Sequence, residues 1–258
     1  MRVATLNVNG FRAAVKKGLF DWIASCNPDV LCFQEVRFGQ NQYKGALSIP
    51  AGWHWVQSDA EKKGYSSVSI WSKKEPKEVK STIGLDWADR EGRAVSMVFD
   101  DLEIWSIYFP SGTSGEERQG YKDRFLSFMT EEMNTWAETG RKILVCGDVN
   151  IAHTALDIFH DKSNAKSSGF LPHERAWISE RLDNGWVDVF RKHHPQEECY
   201  SWWSNRRKST RQKNVGWRID YHFATQALAQ HSVSCEIVDR SLFLSDHSAV
   251  VADYDIHL

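Results

Sequence analysis

Short apolar segments rich in β-branched and aromatic residues recur along the chain, and this pattern restricts its possible folds more than any other feature. Each segment is four to six residues long and is bounded by turn residues, which is typical of β-strands. The predicted strands cover residues 3–8, 30–33, 67–71, 94–99, 104–109, 143–146, 218–223, 233–238 and 249–254. Several connections between them look like hairpins, which favours mixed or antiparallel sheets.

Helical periodicity is found in fewer segments. Apolar residues recur on one face of residues 12–26, and Pro28 follows that helix. The sequence Ser-Gly-Glu-Glu at residues 114–117 predicts a capping box for a second helix, which ends at Gly140, and Pro172 begins a third helix. Because strands outnumber helices, we predict an α/β fold of four layers. Two mixed β-sheets pack face to face in it, and helices cover the outside.

The composition is that of an ordinary globular protein, with 41% hydrophobic and 26% charged residues in a chain of 258. These fractions exclude a disordered or collagen-like chain. The sequence contains no linker rich in Pro, Gly or Ser and no repeat with a period of 20 to 50 residues. We therefore expect one domain that covers residues 1–258.

The cysteines and the apolar segments indicate in which cellular compartment the protein is found. The five cysteines are scattered and form no CxxC pair, so a disulfide framework is not expected and a reducing environment is. The apolar runs are too short for a transmembrane helix, and the N-terminus shows no secretory signal. These features predict a cytoplasmic protein with no membrane partner, and the length of the chain predicts a monomer.

A net charge of −2 excludes a protein that is basic over its whole surface, although one basic groove is sufficient to bind nucleic acid. Basic residues cluster between Trp202 and Trp217, at Arg206, Arg207, Lys208, Arg211 and Lys213. By charge alone, such a cluster is equally consistent with a solvated loop. The tryptophans on both sides favour nucleic acid, because cations bind backbone phosphates and aromatic faces receive a sugar or base.

Polar residues lie at the ends of several predicted strands, and they include carboxylates from distant parts of the sequence. They are Asn7, Glu35, Tyr108, Asp148, Asn150 and the pair Asp246-His247. A single acidic residue at a strand end is more often a turn residue, and a lone histidine is weak evidence. Because strand ends cluster at the rims of a sandwich, the combined pattern predicts a polar site at one rim.

Eight motifs strengthen this prediction. They are LNVNG at 6–10, QE at 34–35, DREGR at 89–93, YFPSG at 108–112, GDVNIAH at 147–153, SGFLP at 168–172, NVGWRIDY at 214–221 and SDH at 245–247. With these motifs in this order, the chain resembles the exonuclease III family of apurinic/apyrimidinic (AP) endonucleases, within the wider endonuclease/exonuclease/phosphatase superfamily. The resemblance extends over essentially the whole chain.

The resemblance implies a DNA repair nuclease that hydrolyses the phosphodiester 5′ to an abasic site in duplex DNA. The products would be a 3′-hydroxyl and a 5′-deoxyribose phosphate. Carboxylate and amide oxygens without a Cys/His cluster suit a hard cation, so Mg²⁺, or Mn²⁺, is the expected cofactor. By resemblance, Glu35 is the principal metal ligand, with Asp246 and Asn7 in or beside the coordination sphere.

The resemblance also implies roles for the other polar residues. Asp148 would orient and deprotonate the attacking water, and Asn150 would hold Asp148 or the water. His247 would contact the phosphate, and Asp220 would bind its other ring nitrogen. Tyr108 and Asn7 would donate hydrogen bonds to the phosphate. The sequence leaves open whether Asp148 or Tyr108 is the base.

For DNA recognition, the resemblance implies that Trp202 and Trp217 wall the pocket for an extruded abasic sugar, since extrusion is cheap where the base is missing. Arg90 is a further candidate phosphate contact. A glycine at 169 would leave room for DNA beyond the cut, which favours internal incision. The sequence departs from the family pattern at four positions: Asn9 stands where some relatives carry Asp, Arg37 where Lys is frequent, and Ser111 and Ser167 where many have Asn.

Three alternatives follow from the same residues: a dedicated 3′–5′ exodeoxyribonuclease, a phosphatase of the superfamily that acts on a small phosphoester, and a non-catalytic nucleic-acid-binding module. The basic cluster and Trp217 disfavour a small-molecule phosphatase. The complete set of acidic residues disfavours a non-catalytic module.

Overall fold

The computed structural model describes residues 1–205 and 209–258. The strands are β1 (Arg2–Asn7), β2 (Val30–Gln34), β3 (His54–Ser58), β4 (Val68–Ser72), β5 (Glu78–Lys80), β6 (Ala94–Phe99), β7 (Leu102–Ile107), β8 (Lys142–Asp148), β9 (Trp186–Asp188), β10 (Asp220–Thr225), β11 (Ser232–Ile237) and β12 (Val250–Tyr254). The α-helices are α1 (Phe11–Lys16), α2 (Leu19–Cys26), α3 (Asp86–Arg90), α4 (Glu116–Glu138), α5 (Asp161–Asn164), α6 (Pro172–Asp183), α7 (Val189–His193), α8 (Ser209–Gln212) and α9 (Gln226–Ala229). Short 3₁₀-helices cover Gln40–Gln42, Gly45–Leu47 and Ala155–Asp157.

The strands form two six-stranded sheets, in the orders β11-β12-β1-β2-β4-β3 and β5-β6-β7-β8-β10-β9. Both sheets are mixed. β1 runs parallel to β2 and antiparallel to β12, and β7 runs parallel to β8 while its other neighbour, β6, is antiparallel. Among the described residues, no helix has both the length and the apolar character that crossing a bilayer requires.

Apolar residues from the two sheets pack against each other and form the central core. Val30 and Ile70 of the first sheet belong to one buried cluster with Val95, Ile104 and Leu144 of the second sheet. All residues of the central strands β2, β4, β6 and β7 are buried. Burial on both faces explains why these segments are mostly apolar, with only a few polar residues such as Ser69, Ser96 and Ser106.

Helices cover the outer face of each sheet. Phe11 and Trp22, from α1 and α2, pack on Leu31 of the first sheet. On the second sheet, Phe125 of α4 and Trp177 of α6 pack against the outer face. The predicted four-layer α/β sandwich is therefore confirmed, with helix, sheet, sheet and helix as its layers.

Local predictions differ from the structure at several points. The helix predicted over 12–26 is two helices, because Gly18 adopts φ +96° and interrupts it. The capping box predicted at Ser114 is wrong, since α4 begins after Gly115 without a side-chain cap. The sequence analysis also missed β3, β5 and β9. β5 and β9 have three residues each, which is too short for a periodic pattern to emerge.

The sheet registers bring the ends of distant strands together. In the parallel pair of β1 and β2, Asn7 lies opposite Gln34, and Glu35 follows directly. In the antiparallel pair of β8 and β10, Asp148 lies opposite Asp220. His247 precedes β12, which pairs with β1. Polar residues from both sheets therefore meet at one edge of the sandwich, as the sequence predicted.

Candidate active site

A groove of about 700 Å³ opens at this edge. Its lining contains most of the polar residues singled out in the sequence, together with two tryptophans. They are Asn9, Glu35, Arg37, Tyr108, Ser111, Asp148, Asn150, Ser167, Gly169, Trp202, Trp217, Asp246 and His247. The groove thus combines an acidic floor with an aromatic wall.

Asn7 joins carboxylates that belong to different sheets. This fully buried side chain donates one hydrogen bond to Glu35 Oε1 at 2.8 Å and one to Asp148 Oδ2 at 2.9 Å. Its own oxygen accepts a hydrogen bond from the Asn9 backbone N–H at 3.0 Å. Since both N–H bonds of the amide are engaged, the geometry favours a bracing role over the predicted hydrogen bond to a phosphate.

Asp148, Asp220 and His247 form a buried chain of charges. The Nδ1 of His247 donates to Asp220 Oδ2 at 2.9 Å, and its Nε2 lies 3.8 Å from Asp148 Oδ2. Ser201 donates a further hydrogen bond to Asp220 at 2.6 Å. The sequence analysis missed Ser201, and no motif marks it. Asp220 thus orients the imidazole, as the resemblance implied.

The electrostatic surroundings shift the pKa values of this chain. Burial, with the negative charges of Asp220 and Glu35, raises the pKa of Asp148 to about 7, although His247 and Asn7 act against this shift. Burial alone would lower the pKa of His247, but Asp220, Asp148 and Asp246 outweigh it and raise the pKa to about 10. At neutral pH, His247 is therefore a cation that faces the groove.

Asn150 holds Asp148 in place. Its backbone N–H donates to Asp148 Oδ1 at 2.9 Å, and its side chain donates to the carbonyl oxygen of Phe109 at 3.0 Å. Asn150 adopts φ +58°, a conformation that asparagine tolerates better than most residues. Of the two roles predicted for Asn150, the geometry supports holding Asp148.

Tyr108 is suited to donate a proton in a hydrogen bond. Burial, together with the charges of Glu35 and Asp148, holds the pKa of Tyr108 well above its usual value. The guanidinium of Arg93 lies 4.9 Å from the ring centroid and donates to the Tyr108 carbonyl oxygen at 3.0 Å. Because Tyr108 stays protonated at neutral pH, these surroundings favour Asp148 as the base.

The acidic floor offers oxygen donors suited to a divalent cation. Among the described residues, Glu35, Asp148 and His247 have potential ligand atoms that all lie within 4.8 Å of one another. A protonated imidazole cannot bind a metal ion, so the carboxylates are the better ligands. Asp246 accepts hydrogen bonds from Asn9 at 2.8 Å and from the Trp202 indole at 3.3 Å. A donor set of carboxylates fits a hard cation.

The aromatic wall consists of Trp202 and Trp217. Their ring centroids lie 6.2 Å apart, with the ring planes perpendicular, and their backbones pair through two hydrogen bonds. Gly169 lies against this wall at φ +92°. A Cβ at position 169 would lie 3.0 Å from Trp217 Cζ3 and 2.9 Å from the Asn150 carbonyl oxygen. Local packing therefore requires glycine at 169, which is a different reason from the one predicted.

The predicted basic cluster is divided by the structure. Arg206, Arg207 and Lys208 lie outside the described residues, and Lys213 is exposed. Arg211 is 4% exposed and does not point into the groove. It donates to the carbonyl oxygens of Arg240, Leu242 and Ser245. The prediction that Arg211 contacts DNA is thus corrected to a structural role, in which it holds the loop before Asp246.

A second cavity of about 400 Å³ adjoins the groove and shares Tyr108 and Ser111 with it. Its lining is mainly cationic and aromatic: Lys62, Tyr65, Arg90, Arg93 and Arg118, with Glu91 and Ser114. Arg90, predicted as a phosphate contact, is exposed here and pairs with Asp86 at 3.0 Å. The sequence analysis did not single out Tyr65, Arg93 or Arg118, although Arg93 lies within the DREGR motif.

Comparison with known proteins identifies the class. Residues 4–247 match the Endonuclease/Exonuclease/phosphatase family, and the chain belongs to this family. An exodeoxyribonuclease of Bacillus subtilis (strain 168) is 33% identical over 260 residues, which cover 97% of this chain and 98% of that protein. A DNA-(apurinic or apyrimidinic site) endonuclease of Dictyostelium discoideum is 32% identical over 264 residues, covering 100% of this chain and 71% of that protein.

Solved structures agree with the sequence relatives. An AP endonuclease from Archaeoglobus fulgidus superposes with a TM-score of 0.88 at 28% identity, covering 99% of this chain and 100% of that one. A 3′-5′ exonuclease (NExo) from Neisseria meningitidis gives a TM-score of 0.89 at 26% identity, with 99% and 100% coverage. The predicted family, the predicted sandwich and the prediction of an enzyme are thereby confirmed.

Proposed function

We propose that this enzyme is a metal-dependent DNA repair nuclease, which hydrolyses the phosphodiester 5′ to an abasic site in duplex DNA. The observation that carries the proposal is the meeting of the Asp148–His247–Asp220 chain with the tryptophan wall in one groove. The relatives named as AP endonucleases and exodeoxyribonucleases support it. The products would be a 3′-hydroxyl and a 5′-deoxyribose phosphate.

In this mechanism Asp148 removes a proton from the attacking water. A pKa of about 7 suits a general base at neutral pH, and Asn150 keeps the carboxylate directed into the groove. Asp148 is 2% exposed, so few competing waters reach it. A water between Asp148 and a phosphate in the groove would be positioned for attack on phosphorus.

The groove also stabilises the negative charge of the phosphate. His247, kept protonated by Asp220, presents its Nε2 N–H towards the groove, and Tyr108 belongs to the same lining. Such preoriented donors act most strongly where water is excluded. His247 and Tyr108 would therefore stabilise the charge that develops on the non-bridging oxygens.

Glu35 and Asp246 are the side chains that would hold the metal ion, with Asn7 bracing Glu35. We propose Mg²⁺, with Mn²⁺ as a substitute, because the donors are carboxylate oxygens. When bound, such a cation polarises a phosphate oxygen and offsets charge on the leaving group.

Selectivity for abasic sites would come from the pocket beside Trp202 and Trp217. Extruding a nucleotide requires unstacking, and this is least costly where the base is missing. The aromatic wall would receive a deoxyribose that carries no base. Where Gly169 meets Trp217, their close contact leaves little room.

Lys213 and Arg90 are exposed cations that could contact the flanking phosphates, and Arg206, Arg207 and Lys208 remain candidates by sequence. We further propose a monomeric, single-domain, cytoplasmic enzyme.

The test is a product analysis on a synthetic duplex with one abasic site, in Mg²⁺ and in EDTA. We expect a single nick 5′ to the site that requires the divalent cation. An undamaged duplex of the same sequence is the control. Resection of its 3′ end without a nick at the abasic site would instead support the 3′–5′ exodeoxyribonuclease, the second candidate, which the full-length similarity to the Bacillus subtilis relative favours.

A further inference from the structure

A fully buried ion pair lies behind the groove and takes no part in the mechanism described above. Lys122 of α4 and Glu174 of α6 are both completely inaccessible to solvent, and Lys122 Nζ lies 2.6 Å from Glu174 Oε1. Burial lowers the pKa of Lys122, and the carboxylate of Glu174 opposes that shift. The pair is part of the packing of α4 against α6 on the outer face of the second sheet.

Lys122 contacts the loop that carries the proposed base. Its ammonium group donates to the Asn150 carbonyl oxygen at 2.8 Å. Asn150 has a left-handed backbone conformation and donates its N–H to Asp148. The N–H of Asn150 holds Asp148, and Lys122 binds the carbonyl oxygen of the same residue. This hydrogen bond from Lys122 therefore restrains the backbone next to the N–H that holds Asp148.

Glu174 contacts the loop behind the aromatic wall. Its Oε2 accepts hydrogen bonds from the backbone N–H groups of Gly169 at 2.6 Å and Leu171 at 3.0 Å. Glu174 thereby satisfies donors at the N-terminus of α6. It also fixes Gly169, whose close approach to Trp217 is described above.

The two loops touch each other directly. Ala152 N–H donates to the Gly169 carbonyl oxygen at 2.8 Å. A Cβ at position 169 would lie 2.9 Å from the Asn150 carbonyl oxygen, which is the atom that Lys122 binds. The ion pair is thus located where the loop at Asn150, which follows the proposed base Asp148, meets the loop at Gly169, which lies against Trp217.

Stability alone does not account for this pair. Two charges taken out of water lose hydration, and apolar residues of similar volume often replace a buried ion pair without loss of stability. What apolar residues cannot replace is the set of hydrogen bonds to backbone groups of both loops. These bonds are the distinctive property of Lys122 and Glu174.

We propose that Lys122 and Glu174 are positioning residues, which hold the backbone at Asn150 and Gly169 so that Asp148 and Trp217 act on the same nucleotide. Lys122 acts on the chemical step through Asn150 and Asp148. Glu174 acts on the sugar pocket through Gly169 and Trp217. The inference rests on the proposed function for the assignment of the two loops.

The test separates positioning from stability with three variants. Lys122→Met leaves Glu174 unpaired, so it should lower both the midpoint of thermal unfolding and kcat. Lys122→Met with Glu174→Gln removes both charges, while the new amide oxygen still accepts from Gly169. We expect this double variant to regain thermal stability but to keep a kcat about 10- to 100-fold below wild type, with its Kd for an abasic duplex in EDTA within about threefold of wild type.

Glu174→Gln alone keeps the bond from Lys122 to Asn150 but offers the Gly169 N–H a neutral oxygen in place of a carboxylate. Its kcat should therefore fall by less than that of Lys122→Met, although the unpaired ammonium lowers stability. Leu126→Ala is the control for loosening α4, since Leu126 lies one turn from Lys122 in the core. It should lower stability and leave kcat unchanged. If kcat follows thermal stability across all four variants, the pair is only structural and the proposal is overturned.

Each protein is assayed on the abasic duplex and on an undamaged duplex with a recessed 3′ end. Absence of wild-type incision on the first substrate refutes the proposed function. The positioning role is then judged from the ratio of variant to wild-type kcat on the second substrate, so the two failures are distinguishable.

Discussion

Asp148 and Asp220 lie directly opposite each other in the antiparallel register of β8 and β10. Two buried carboxylates in this position would repel each other. His247 relieves the repulsion, since its Nδ1 binds Asp220 at 2.9 Å and its Nε2 lies 3.8 Å from Asp148. The imidazole thereby gives the two carboxylates different roles. Asp220 orients the ring, and Asp148 is available to accept a proton.

Replacing Asp148 by Asn should abolish most of the activity. An amide has no proton affinity comparable to a carboxylate, so we expect a single-turnover rate of abasic incision at least ~10²-fold lower, with the Kd for DNA nearly unchanged. The exposed Asp183 is the matched control, and Asp183→Asn should be as active as wild type. A wild-type rate in Asp148→Asn would show that another group is the base.

Asp220→Asn should shift the pH profile of kcat/KM to lower pH at both limbs. The rate rises as Asp148 loses its proton and falls as His247 loses its own, giving a bell-shaped profile. Burial raises the pKa of Asp148 to about 7 with a contribution from Asp220, and Asp220, together with Asp148 and Asp246, outweighs burial in raising the pKa of His247 to about 10. Neutralising Asp220 therefore lowers both values. An alkaline limb that stays in place would contradict the assignment of His247 as the essential cation.

Gly169→Ala should impair both stability and incision. The new methyl group would contact Trp217 and the Asn150 carbonyl oxygen closely, at a φ of +92° that alanine rarely adopts. We expect a loss of about 1 to 3 kcal/mol in the free energy of unfolding and a higher KM for abasic DNA. Gly120→Ala is the control, because position 120 lies within α4 with no atom near its Cβ. That change should stabilise the protein by about 1 kcal/mol.

His222 should make the folded state sensitive to acid. Burial lowers its pKa to about 4, whereas the unfolded chain titrates near its ordinary value of about 6.5. Between these two values the unfolded state binds more protons, so stability is lost as the pH falls from about 6.5 towards 4. Denaturant unfolding at pH 7 and pH 4 measures this loss. In His222→Gln, the loss should be smaller by about 3 kcal/mol, and an equal loss in both proteins would contradict the prediction.

The sequence was most informative where a motif combines strand pattern with polar chemistry. Asp148 ends a buried strand and His247 precedes another, so their meeting at one edge was predictable from the topology expected of a sandwich. The role of Asp220 came from the family resemblance. Arg211 was misassigned because a run of charges does not reveal which member is buried. Its contacts with three carbonyl oxygens depend on the fold of the loop after β11, which leaves no periodic signal.

Other features depend on tertiary packing alone. Lys122 and Glu174 are 52 positions apart on two helices of the outer layer, where a charged residue normally faces solvent. Only the packing of α4 on α6 makes them partners. Similarly, the sequence identifies Gly169 within a motif, but the reason for a glycine lies in the approach of Trp217. Such contacts between distant segments are not encoded in local patterns.

The amide of Asn7 extends from the first sheet to Glu35 on the same sheet and to Asp148 on the second. Catalytic geometry consequently depends on the two halves of the sandwich staying in register. Shear of about 1 Å between them would break one of these two hydrogen bonds. On gentle heating, activity should therefore be lost below the temperature of global unfolding. The activity that remains at each temperature would then report how well the two sheets keep their relative positions.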